Sequence, residues 1–499
     1  MKRILIPLLL LTGFSSTVCA QLVEKKVIVP PQFRSVIDTN RTVMIPDEYE
    51  ISVFYAGGLQ RPRFMALGAK NTIYVADMNA RHILALPDAD HDGVADGAYN
   101  IAPDVDSAHS LTFYRNDLYV AEPTRVRKFI DKDGDGIFES EEKFITGIGA
   151  AGPYNHYTRT ILFDTIGKHI YLGVGASCNA CRETDPERGT ILQFNLDGSG
   201  RTIFATGLRN ALGLAIDPKN NNELWTTNAD RDNLGDDIPE EIISSVNPGD
   251  FFGWPLAYGA REWEDFSSPE YLAMLPITAD DSAKINQMRF ADLRIPAHST
   301  PMEIIFYRDP RVYIQPPPTT MFVALHGSSP GGRKIGTGYK VIKIMYDDTL
   351  EGWRPSDFIT GFLTDSINYT HWGRPCGLVQ DSSGDIFLSS DVETPAIYRI
   401  HLREKSAVGN SGSVQRSLSV FPNPSTTSAT ISYSLTKHQY VRLDLIDQLG
   451  RTVRALRDEN EDAGEKCLPL SVSGLPAGIY YLRMQSEDGI MTSKIVVTN

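Results

Sequence analysis

Phe64 to Leu86 reads FMALGAKNTIYVADMNARHILAL, and this stretch decides the fold. Phe64-Met65-Ala66-Leu67 and Ile73-Tyr74-Val75-Ala76-Asp77 are short apolar runs on either side of Gly68-Ala69-Lys70-Asn71, and Ile83-Leu84-Ala85-Leu86 follows. Runs this short, bounded by turn residues and carrying β-branched and aromatic side chains, predict antiparallel strands. The unit recurs as a strand, a Gly/Asn turn, an aromatic-bearing strand ending in a small or acidic residue, and a third strand with a basic residue. Its aromatic anchors are Tyr74, Tyr119, Tyr171, Trp225, Phe322 and Phe387, at intervals of 45, 52, 54, 97 and 65 residues. The shortest interval is what one four-stranded blade requires. Six anchors therefore predict an all-β, six-bladed β-propeller over residues 45–405. The long interval holds an insertion around Glu262 to Arg294, with a short helix near Asp281 to Phe290.

Outward from the propeller the chain changes character at both ends. Met1 to Ala20 has the basic start, apolar segment and small-residue end of a secretory signal, with cleavage expected before Gln21. Cys19 raises a lipoprotein alternative, against which the bulky Val18 speaks. Residues 21–44 form an N-terminal extension, and 406–416, with Gly409-Asn410-Ser411-Gly412-Ser413, read as a linker. Residues 417–499 alternate like a small antiparallel β-sandwich and carry no cluster suited to chemistry. No later apolar run is long enough to cross a bilayer. The net charge of −14, with no basic block, gives nucleic acid or an anionic membrane no electrostatic support as a partner.

Cys178 and Cys181 have CxxC spacing, but Arg182 stands where haem attachment would need histidine, and no second pair completes a zinc site. A local Cys178–Cys181 disulfide is expected, with Cys376 and Cys467 as thiols. Asp131, Asp133 and Asp135, with Glu142, have the DxDxDG-x5-E spacing that brings carboxylates onto one calcium ion. Asp88, Asp90 and Asp92 repeat it without the terminal glutamate. Solvated acidic turns are the bland alternative for both loops.

His156 precedes the strand Ile161-Leu162-Phe163, which places an imidazole at the mouth of the central channel, where a neutral histidine can accept an alcohol proton. A packing histidine is the competing reading. His109 takes the comparable place one blade earlier, Arg209 and Asn210 one blade later, and Arg374, His326 and Lys340 are further polar candidates.

The motifs NHYTRTILF, CNACRETDPERGTILQF, GLRNALGLAIDP, NADRDNLGDD, FFGWP, HGSSPGGRKIGTGYKVIKI and GRPCGLVQDSSGDIFLSSD together resemble the soluble glucose/sorbosone dehydrogenase family, over roughly residues 45 to 403. These are six-bladed quinoproteins that use pyrroloquinoline quinone (PQQ) and calcium. The resemblance implies His156 as general base, Arg209 on the quinone oxygen, and Asn210, Lys340 and Arg374 as cofactor-binding residues. It further implies calcium held by backbone carbonyls among Ala229, Asp230, Arg231 and Asp232. A sugar, aldosone or polyol would be the substrate and an external acceptor would take the electrons. The sorbosone-like branch fits better than the glucose-oxidising one, and Asn155 stands where some members place an acidic partner. Residues 417–499, with FPNP at Phe421 to Pro424 and LPAGIYYLRM at Leu475 to Met484, resemble the type A sorting domain of type IX secretion. That implies delivery by this machinery to the medium or the cell surface. Two other readings remain: a calcium-dependent lactonase or esterase on a six-bladed propeller, and a non-catalytic propeller binding glycan or protein.

Overall fold

The computed structural model describes residues 22–149, 156–219, 222–269, 271–308, 319–330, 334–347, 351–403 and, except for 422–424, 426–427, 436, 449, 463 and 488, residues 418–497. The signal segment, Asn155, the linker and most of the FPNP motif lie outside these residues. The chain divides into two compact units at Arg403/Glu404.

The first unit contains six four-stranded antiparallel sheets. Their first strands are Pro62–Leu67, Ser110–Tyr114, Arg159–Asp164, Ala211–Ile216, Pro301–Tyr307 and Pro375–Gln380, numbered here as blades 1 to 6. Each first strand lies against the first strand of the next blade, and Pro375–Gln380 returns to Pro62–Leu67, so the ring closes. Closure uses the N-terminal part of the chain: Tyr49–Ala56 pairs with Ala396–Leu402 as the outer strand of blade 6. Closing the ring in this way leaves no gap between first and last blades. The N-terminal extension belongs to the same unit, with Leu22–Lys26 paired to Thr42–Pro46.

All six aromatic anchors fall on second strands, as the repeat predicts. Their packing explains the preference, because several reach a ring on the next blade's first strand. Tyr74 meets Phe113 edge-on at 4.9 Å between centroids, Tyr119 meets Phe163 at 4.6 Å, and Trp225 meets Phe306 at 6.2 Å. Such pairs add about 0.5–1.5 kcal/mol each beyond the area they bury.

The insertion is longer than the sequence suggests. It runs from the end of Glu241–Val246 to the start of Leu293–Ile295, the third and fourth strands of blade 4. Leu256, Tyr271, Met274, Ile285 and Met288 give it a small core of its own. Its helix, Ala279–Asn286, starts earlier than expected because Thr278 and Asp281 close a capping box.

The second unit is all-β, with a four-stranded and a three-stranded antiparallel sheet whose buried residues, among them Ile431, Leu443, Leu445, Leu482 and Ile495, form one core.

Candidate active site

Each first strand pairs with the second strand so that its beginning meets the other's end: Arg159 opposes Val174, Ala211 opposes Asn228, and Pro375 opposes Ser390. Residues just before the first strands and just after the second strands are therefore gathered at one end of the axis. This rule places His156, Arg209, Asn210, Arg374, Asp391, His326 and Ala229 around one mouth, and there a cleft of about 480 Å³ opens. Its walls include His156, Arg209, Asn210, Ala229, Asp230 and Asp232.

The backbone N–H of His156 and its ring Nδ1 both lie 3.1 Å from the carbonyl oxygen of Ala176. A carbonyl only accepts, so Nδ1 carries the hydrogen and Nε2 keeps its lone pair. Burial, helped by Arg209, lowers the His156 pKa to about 3. No Cβ is tolerated beside it: one at Gly175 would fall 2.4 Å from the His156 Cβ and 2.5 Å from Asn210 Oδ1.

Arg209 is buried and spends four of its five N–H donors on the protein. Nε donates to the Asn179 carbonyl at 3.2 Å, Nη1 to the Asp230 carbonyl at 2.7 Å, and Nη2 to Asn179 Oδ1 at 2.9 Å and Asp232 Oδ2 at 3.0 Å. One Nη1 hydrogen remains, on a side chain that lines the cleft. Asn210 is tied to blade 4 through its backbone, donating to Asn228 Oδ1 and accepting from Ala229 N–H.

The carboxylates near this cleft are largely compensated. Asp230 pairs with Arg231 at 3.2 Å, and Arg231 is itself buried against Glu264 and the carbonyls of Pro255 and Ala257. Asp232 pairs with Arg209. Burial pushes the Glu241 carboxyl well above the usual carboxylate range.

Arg374 reaches the mouth from behind the wall. It donates to the carbonyls of His326, Gly327 and Ser328 and lies over the Tyr339 ring, and Ser328 in turn faces the cleft. On the same rim Asp391 is paired with Arg63, Arg61 and His326. Burial alone would raise the Asp391 pKa, but His326 and Arg63 hold it well below the carboxylate range. His326 is lowered to about 4, mainly by burial.

Other expected residues go elsewhere. Lys340 begins the third strand of blade 5, pairs with Asp357 at 2.6 Å and borders a separate cavity of about 220 Å³. Cys178 and Cys181 are joined, and Cys376 is a buried free thiol. The side chain of Cys467 is outside the described set. Asp131, Asp133 and Asp135 converge, but with Glu139 in place of the expected Glu142. Strand Ser140–Thr146 starts where an EF-hand would continue as helix, so Glu142 faces Lys128 instead. Asp88, Asp90 and Asp92 converge in the equivalent loop of blade 1.

Sequence reasoning missed His298, Thr300 and Glu241, which also line the cleft. His298 Nε2 donates to the Gly235 carbonyl at 2.8 Å, and Thr300 N–H donates to Glu241. His298 and Thr300 both have positive φ, 63° and 50°, a costly conformation for residues with a Cβ and a recurrent mark of functional segments. The signal was available: Pro296-Ala297-His298-Ser299-Thr300 precedes the first strand of blade 5 as His156 precedes that of blade 3.

The family model described as TrAA12-like matches residues 43–403, the whole ring. The chain belongs to the TrAA12-like family. Among solved structures, this TrAA12-like chain is similar to the calcium structure of a Trichoderma reesei family AA12 carbohydrate-active enzyme, at 18% identity and TM-score 0.58, covering 72% of this chain and 97% of that one. The holo PQQ domain of Coprinopsis cinerea pyranose dehydrogenase is similar at 18% and 0.59, covering 75% and 99%. Apo aldose sugar dehydrogenase from Escherichia coli is similar at 14% and 0.50, covering 71% and 100%. Identities this low show a shared propeller fold. An uncharacterized protein of Borreliella burgdorferi is 22% identical over 377 residues, covering 72% of this chain and 91% of that one. Residues 419–498 match the secretion system C-terminal sorting domain, so this chain is exported by a type IX-like pathway, and among the described residues no helix is long and apolar enough to cross a membrane.

The neutral state of His156 has a measurable consequence for folding. Its folded pKa lies below the unfolded value near 6.5, so the unfolded chain binds the extra proton and stability is lost as pH falls from about 6.5 toward 3. This histidine alone contributes a slope of up to about 1.4 kcal/mol per pH unit. Glu241 and Glu303, whose carboxyls burial raises above the usual range, run the opposite way. The difference between wild type and His156→Gln isolates the histidine. Urea unfolding at pH 6, 5 and 4 is expected to be less acid-sensitive in the variant by about that slope, and parallel profiles would contradict the assignment.

Proposed function

We propose that the propeller is an exported oxidoreductase that uses PQQ and Ca²⁺ to oxidise a sugar, an aldosone or a related polyol, with His156 as general base. The observation that carries the reading is the His156 ring, whose Nδ1 is committed to Ala176 and whose Nε2 lone pair is free beside Arg209 and Asn210.

The residues suit such a cofactor. About 480 Å³ falls within the range of small-molecule sites. Asp230 and Asp232 are paired to arginines and burial disfavours charge on Glu241, so the lining carries little uncompensated negative charge. Beside it, Arg61, Arg63 and Arg374 outnumber Asp391. A divalent cation on carbonyls among Ala229 to Asp232 would complete the positive charge that a polycarboxylate quinone needs. Arg209 and Asn210 would hold the cofactor from one side, and Arg374 would brace the Ser328 wall on the other. When bound, PQQ supplies a two-electron acceptor for hydride.

The chain's own contribution is then specific. His156 Nε2 takes the proton of the substrate hydroxyl as its C–H bond is broken, and Ala176 keeps the ring in the required tautomer. Arg209 offers its remaining Nη1 hydrogen to an oxygen that gains negative charge, with no reorganisation because its other donors are fixed. A lactonase would want carboxylates converging on an axial metal. The cleft carboxylates Asp230 and Asp232 are instead paired to Arg231 and Arg209, which favours the dehydrogenase.

Calorimetric titration of chelator-treated protein with PQQ is expected to show one site per chain with Ca²⁺ present and far weaker binding without it. Failure to bind under both conditions would overturn the reading.

A further inference from the structure

We infer that Asn179, held in the ring closed by the Cys178–Cys181 disulfide, is a positioning residue that locks Arg209 and the 230–232 backbone into one arrangement. The inference rests on the oxidoreductase reading of the cleft.

Asn179 sits between the two bonded cysteines, behind the cleft wall. Its Oδ1 accepts from Arg209 Nη2 at 2.9 Å and from the Asp232 backbone N–H at 2.8 Å, while its Nδ2 donates to the Asp232 carbonyl at 3.0 Å. Its own carbonyl accepts from Arg209 Nε at 3.2 Å and from the Trp254 indole at 3.0 Å. One residue thus grips the guanidinium along its Nε/Nη2 edge and the acidic loop by both backbone groups. Gripping a planar fork at two points fixes its plane, which leaves the Nη1 edge turned to the Asp230 carbonyl and the cleft. Only an amide supplies an acceptor and a donor in these places.

The ring itself is anchored on both flanks. Ser177 N–H and Oγ donate to the Glu183 carboxylate at 2.5 and 2.7 Å. Arg182 donates to the Met274 carbonyl at 2.9 Å and pairs with Asp281 at 2.8 Å, binding the ring to the insertion. A ring this small restricts the unfolded chain less than a long loop would, so global stability is a poor account of the disulfide. Its local effect is direct: the Asn179 backbone carbonyl, an Arg209 acceptor that no side-chain substitution removes, is held in place.

Three variants test this: Asn179→Ala, Asn179→Asp, and Cys178→Ser with Cys181→Ser. In cofactor-free protein, solvent exchange of the Arg209 Nε–H, followed by ¹⁵N-edited NMR of arginine-labelled chain, is expected to accelerate at least about tenfold in the double cysteine variant. In protein loaded with PQQ and Ca²⁺, Asn179→Ala and the double variant are expected to lower kcat by about 10- to 100-fold with little change in KM. Asn179→Asp keeps both acceptor bonds but sets a carboxylate oxygen against the Asp232 carbonyl, and is expected to recover only part of that loss. Unchanged exchange, or Asn179→Ala turning over like wild type, overturns the proposal. If wild type neither binds PQQ nor oxidises sugar, the oxidoreductase reading fails, and the exchange measurement still decides whether the disulfide ring holds the Asn179 carbonyl against Arg209.

Discussion

Replacing His156 with glutamine is expected to lower kcat/KM by about 10²- to 10⁴-fold in cofactor-loaded protein. Glutamine can still donate an N–H toward the Ala176 carbonyl, so the local backbone has its partner, but it has no basic lone pair where Nε2 stands. Binding of PQQ should change little, because the loss is confined to proton removal. The measurement is steady-state kinetics beside a binding titration of the same preparation. A variant that binds the cofactor and retains wild-type turnover would remove His156 from the chemistry.

Arg209→Ala is the second large effect, expected to cost about 10²- to 10³-fold in kcat/KM. Its folding penalty should stay near 1–2 kcal/mol, since the Asp232 side chain is 55% exposed and regains water when its partner leaves. Arg209→Lys is expected to resemble alanine rather than wild type. A single ammonium cannot meet the Asn179 carbonyl, Asn179 Oδ1 and the Asp230 carbonyl while leaving a donor over. Full activity in the lysine variant would show that charge alone is enough. Kinetics and chemical denaturation of both variants separate the two contributions.

The ring was legible because each second strand carries a large aromatic that packs in its blade or against the next one: Tyr74, Tyr119 and Trp225 each meet a ring on the neighbouring blade, and the spacing of the anchors follows the blades. His156, Arg209, Asn210 and Arg374 were legible for a related reason. They stand immediately before first strands, and pairing order delivers that position to the axis mouth whatever the residue is. Lys340 fails the same criterion. It starts a third strand, one layer further from the axis, and its ammonium finds Asp357 there.

What stayed hidden depended on contacts between distant segments. His298 and Thr300 return to the cleft only after the whole 247–292 insertion, which obscures their place before the blade 5 strand. Glu142 was misplaced because the spacing of a calcium loop does not say whether helix or strand follows it. The strand at Ser140–Thr146 sends Glu142 to Lys128 and leaves Glu139 with the aspartates. The grip of Asn179 on Arg209 joins a CxxC loop in blade 3 to an arginine entering blade 4, a contact no local pattern encodes.

Hydride chemistry in the cleft, as opposed to hydrolysis or simple binding, leaves a signature on the quinone itself. Its most direct test is anaerobic mixing of the PQQ- and Ca²⁺-loaded protein with a panel of aldoses, aldosones and polyols while the quinone absorbance is followed. Bleaching by at least one member is expected, one equivalent per chain, and slowed by about 10²-fold or more in His156→Gln. Cofactor that binds stoichiometrically yet stays oxidised with every member would contradict it.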